Sequence, residues 1–135
     1  MIYEQNYKRL KKLIPDLDTL PANCYRKSKS NGFMDLSFEV LSRGTDQFIC
    51  AMAHYFEMNG DLVPDPDMEI RVVPSMKMVE ALTFQDQFGF QVVYPEPGKV
   101  NPQVKKELNQ FLRQWLGNLI KQGHKLSPET QKEEG

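Results

Sequence analysis

The apolar positions change period twice along this chain, and each change marks a switch in backbone geometry. Tyr3, Tyr7, Leu10 and Ile14 recur at helical spacing, Leu13 widens the stripe, and Lys8, Arg9, Lys11 and Lys12 fall largely off it. That pattern is one face of an amphipathic helix over residues 2–14. Pro15 ends it, because a proline pushes the residue before it out of helical geometry. The stretch from Asp16 to Gly32, with Pro21, Asn23, Ser28, Ser30 and Asn31, reads as a connector.

From Asp35 the period is two. Leu36, Phe38 and Val40 alternate with Ser37 and Glu39, which describes a half-buried strand. After a turn at Arg43-Gly44-Thr45-Asp46, residues 47–57 form a longer strand that is largely apolar on both faces, hence central. Asn59-Gly60 is a hairpin signal, since both residues accept positive φ. Leu62 and Val63 are expected to pair briefly before Pro64-Asp65-Pro66-Asp67 breaks the ladder. Residues 68–73, 78–84 and 90–94 follow as strands on short turns, which permit only antiparallel pairing.

At Asn101 the helical spacing returns. Asn101-Pro102 supplies a cap and a first helical residue. Val104, Leu108, Phe111, Leu112, Trp115, Leu119 and Ile120 form a wide apolar face, and Gly123 closes the helix. The pattern predicts an α+β fold: an antiparallel meander of about five strands packed against a long C-terminal helix, with the sheet held between it and an N-terminal helix. The domain is expected to span residues 1–124, followed by a polar, disordered tail over 125–135.

Composition narrows the functional classes. A chain of 135 residues is suited to one core. There is no apolar run near the ~20 residues of a membrane helix, and the start lacks a signal peptide's basic and apolar regions. Cys24 and Cys50 form no C-x-x-C pair and are too few for a zinc site, so two reduced thiols and a cytoplasmic setting are expected. Charge is uneven: residues 1–30 hold seven Lys/Arg against three Asp/Glu, and residues 57–86 hold seven acids against two bases.

Four segments, Asn6-Tyr7-x-x-Leu10-x-x-Leu13-Ile14-Pro15, Met68-Glu69-Ile70-Arg71-Val72, Met78-Val79-Glu80-Ala81 and Leu108-Asn109-Gln110-Phe111-Leu112-x-x-Trp115-Leu116, occur in this order. In this the chain resembles the YqiB-like family of small bacterial proteins, a domain of unknown function. The resemblance spans roughly residues 3–124, and the last segment is its most specific part. It implies a bacterial cytoplasmic protein and carries over no reaction, cofactor or catalytic residue.

The candidate chemistry is sparse. His124 falls past the final helix, where exposed carbonyls would engage it. His54 lies on an apolar strand face, and Cys50 is about 13 Å from it along a strand, too far for a dyad. The acids Glu57, Asp61, Asp65, Asp67 and Glu69 lack the spacing and flanking helices of a calcium loop, and read as a solvated turn. Glu69, Arg71 and Glu80 fall on adjacent strands, where Arg71 could hold Glu80, or a ligand's carboxylate or phosphate. Lys8, Lys12, Arg26 and Lys27 are the candidate nucleic-acid contacts, disfavoured by a pI near 6.

These residues point first to a non-enzymatic module binding a small ligand or a protein, with Arg71, Glu69, Glu80 and His54 as contacts and no metal or cofactor. The alternatives are a hydrolase or metal-dependent enzyme centred on His54 and nearby carboxylates, or a weak nucleic-acid binder through residues 8–29. No membrane partner is expected, and an exposed strand edge would permit a homodimer.

Overall fold

The computed structural model describes residues 1–128. Helix α1 (Ile2–Leu13) leads through a 3₁₀ turn at Leu17–Thr19 to seven strands: β1 (Tyr25–Ser28), β2 (Leu36–Arg43), β3 (Phe48–Met58), β4 (Asp61–Val73), β5 (Met78–Ala81), β6 (Thr83–Asp86) and β7 (Gly89–Val92). Helix α2 (Pro102–Lys121) follows. All pairings are antiparallel. The order is β1-β2-β3-β4-β6-β7, and β5 also pairs with β4.

The α+β class and the antiparallel sheet are as expected, but among the described residues there are more strands than five. Two differences account for this. The connector contains β1, which lacks apolar alternation because its inward residues, Arg26 and Ser28, are polar. The strand expected over residues 78–84 is divided at Leu82 into β5 and β6, which pair with successive parts of β4.

The prolines of Pro64-Asp65-Pro66-Asp67 do not break the ladder. Tyr55 pairs with Pro64 and Ala53 with Asp67, and the register shift between them lets β4 run through. The extra residues are taken up as an irregularity of the bulge kind, which keeps two strands paired around residues that cannot donate. At the C-terminal end of β3, Asn59 and Gly60 have φ of 55° and 86°, as the hairpin required.

The sheet does not lie between the helices. Tyr7, Leu10 and Leu13 of α1 and Leu108, Leu112 and Leu119 of α2 join Phe38, Met52 and Ile70 in a single apolar cluster. The helices also hold each other directly: Arg9 donates to the Arg113 carbonyl at 2.6 Å and Arg113 to Gln5 at 3.0 Å. Gly117 makes room for this, since a Cβ there would stand 2.9 Å from Arg9 Nη1. The physical reason is that α1 has a stripe too wide for one partner, and it is buried against both α2 and β5.

Asn101 caps α2 by accepting the Val104 N–H at 3.2 Å, and Gly123, at φ 88°, ends it. His124 is buried, Leu126 is fully buried, and the Leu126 N–H donates to the Leu13 carbonyl at 2.8 Å. The rest of the expected tail, 129–135, lies outside the described residues. Among the described residues, no helix is long and apolar enough to cross a membrane.

Candidate functional site

In the antiparallel register of β4 and β5, Arg71 stands opposite Glu80. Both side chains lie on the sheet face away from Ile70 and Val72, because successive strand residues alternate. Arg71 donates to Glu80 Oε1, and the hydroxyl of Tyr94 donates to Glu80 Oε2 at 2.8 Å. Lys105 donates to the same Tyr94 oxygen at 3.0 Å and lies 3.7 Å from Glu80 Oε2. The cations also sit over rings: Arg71 is 5.5 Å from the centre of Tyr94, and Lys105 is 5.6 Å from that of Tyr3.

Lys105 reaches this cluster because α2 runs past the outer edge of β5. Asn109, one helical turn later and on the same side, accepts the Ala81 N–H at 2.9 Å. From α1, Asn6 donates to the Val79 carbonyl at 3.4 Å. The two asparagines therefore occupy backbone groups that an edge strand would leave open.

Two cations thus share one carboxylate, and Arg71 Nε is buried with no hydrogen-bond partner among the described residues. Lys105 is shifted to a higher pKa than usual, chiefly by its bond to Tyr94, with burial opposing and Glu80 adding to the rise. It remains protonated at neutral pH. Beside the cluster is a cavity of about 310 Å³ whose walls include Tyr3, Val73, Met76 and Met78 as well as Arg71 and Lys105. An anionic head with an apolar body matches both parts of that wall.

The four residues expected to act together separate into two places. Glu69 shares the Arg71 face, but its backbone is what the structure uses: its N–H donates to Thr83 Oγ1 at 3.1 Å and its carbonyl accepts from Leu82 at 2.8 Å. His54 is on the helix side, edge-on to Trp115 at 5.5 Å. Its Nδ1 lies 2.9 Å from the Asp35 carbonyl. His124 is 6.0 Å from His54, ring to ring, and 2.9 Å from Ser28 Oγ through Nδ1.

The basic residues of 8–29 are not gathered on one surface either. Arg26 is buried, donating to Asp16 at 2.6 and 2.7 Å and to the Leu126 carbonyl at 2.7 Å. Lys27 lies 3.4 Å from Asp35. Lys8 and Lys12 are exposed on α1. Among the described residues, no three His, Cys, Asp or Glu side chains are grouped as metal ligands.

Sequence reasoning missed Tyr94, Lys105 and Tyr3. Periodicity places Lys105 off the apolar stripe of α2, but nothing local tells which strand edge it approaches.

Residues 5–125 match a family described as a domain of unknown function, DUF6908. No curated protein and no solved structure matches the chain. With nearly the whole chain inside that match, the protein belongs to the DUF6908 family of domains of unknown function.

Proposed function

We propose that this domain is a non-enzymatic binding module that takes a small carboxylate with an apolar body in the cavity beside Arg71 and Lys105. One observation carries the reading: Arg71 and Lys105 share a single carboxylate, Glu80, at the wall of a largely apolar cavity. The uncompensated charge is about one, which suits a monoanion better than a phosphate dianion. The cavity volume of about 310 Å³ is at the low end for ligand pockets, so the ligand is small. Met76 and Met78 give its apolar side an adaptable surface. Glu80, the group there that could serve as a base, is engaged by Arg71, Tyr94 and Lys105, which favours holding a ligand over moving a proton.

The test is calorimetric titration with hexanoate, inorganic phosphate and neutral hexanol. Hexanoate should bind, phosphate more weakly and hexanol least, and Arg71→Gln or Lys105→Gln should weaken hexanoate at least tenfold. Absence of hexanoate binding, or binding indifferent to both substitutions, rejects the reading.

A bacterial cytoplasmic setting belongs to the same proposal. It is supported by the resemblance to YqiB-like proteins and by two cysteines that are both free.

A further inference from the structure

On the helix side of the sheet lies a second cavity, of about 460 Å³, between the loop before β2, the middle of β4 and α2. We propose that it binds a small organic ammonium ion, independently of the carboxylate site.

Its walls combine aromatic rings with the side-chain amides of Gln114, Asn118 and Gln122. Phe111 and Trp115, four residues apart on α2, present rings 6.0 Å apart and tilted by 35°. Phe84 braces Phe111 edge-on at 5.2 Å, and His54 meets Trp115 at 68°. Phe33 contributes an exposed ring at the mouth. Faces of aromatic rings carry negative potential and attract cations within about 6 Å.

The amides of Gln114, Asn118 and Gln122 can turn a carbonyl toward a cation, and the other polar groups favour the same sign. A carbonyl only accepts, so the 2.9 Å contact to Asp35 O puts a proton on His54 Nδ1. In the uncharged form of the ring, this contact leaves the lone pair on Nε2. Asp65 is the only Asp, Glu, Lys or Arg lining the cavity, and its carboxylate is exposed rather than consumed by an ion pair among the described residues. Rings, lone pair and carboxylate therefore all favour positive charge. The aromatic walls lack the ligand set a bare metal ion needs, whereas methyl groups on nitrogen pack well against rings.

Trp115 is the chain's single tryptophan, so its fluorescence reports on this cavity directly. The full chain is titrated with tetramethylammonium chloride, with sodium chloride at equal ionic strength as control. A saturable emission change is expected, weakened at least tenfold by Asp65→Asn and largely kept by Asp65→Glu. Asp65 is exposed, so neither substitution threatens folding. No saturable change beyond the salt control, or one that Asp65→Asn leaves intact, overturns the proposal. Arg71→Gln should not alter this titration, which separates its failure from that of the carboxylate site.

Discussion

The side-chain oxygen of Asn109 accepts the main-chain N–H of Ala81, so a helix residue stands where the next strand of the sheet would otherwise pair. The same oxygen lies 3.4 Å from Asn6 Nδ2, and Asn109 Nδ2 donates to the Lys105 carbonyl at 2.8 Å. One buried amide thereby joins both helices to β5. Asn109→Leu removes the acceptor and leaves the buried Ala81 N–H unpaired, at a cost of about 1–3 kcal/mol. Urea unfolding measures this, and an unchanged midpoint would show that Ala81 finds another partner.

Trp115 is 6% exposed and touches both His54 and Phe111. Trp115→Ala should cost about 3–5 kcal/mol, the range for removing a large buried aromatic side chain. A melting temperature equal to that of the wild type would remove the ring from the list of core contributors.

Glu80→Gln has opposite effects on stability and binding. The amide keeps one acceptor oxygen, turns the other position into a donor, and drops the charge shared by Arg71 and Lys105. Stability should fall by about 1 kcal/mol or less, since these side chains are partly exposed. Hexanoate affinity should rise. A fall would mean that the cluster serves structure alone.

His124 gives the domain a pH dependence. Burial holds its pKa below the ordinary 6.5, and the nearby His54 lowers it further, against weaker raising effects of the Met34 backbone and Asp35. Between the lowered folded value and 6.5 the unfolded chain binds more protons, so stability rises with pH there. The contribution is therefore complete above pH 6.5 and is lost as acid takes the protein down through the folded pKa. Unfolding midpoints compared at pH 7.5 and pH 5 should show the loss, and His124→Asn should flatten the slope.

The two thiols should differ in reactivity. Burial pushes the Cys50 thiol far up in pKa, with the charge of Arg43 only partly opposing, whereas Cys24 is half-buried. The thiolate is the reactive form. Iodoacetamide on the native protein should label Cys24 alone, with Cys50 labelled only in denaturant. Mass spectrometry of the digested product distinguishes the sites.

Much of the fold was legible because local pattern and burial agree. The stripe of Tyr7 and Leu10 made α1, the alternation of Leu36, Phe38 and Val40 made β2, and Asn59-Gly60 made the hairpin. Where inward residues are polar, the pattern is silent: Arg26 and Ser28 belong to a strand only because Asp16, Leu126 and His124 are there to receive them.

For the Arg71–Glu80 cluster, the sequence alone determined that these two residues could face each other, since strand alternation and a short turn are local properties. Tertiary structure alone decided that Lys105 and Tyr94 would join them, that His54 would be on the opposite side, and that both helices would share one face of the sheet. The physical reason is distance along the chain: contacts such as Asn6 to Asn109, 103 positions apart, are set by how elements pack, and no periodicity within either element encodes its partner.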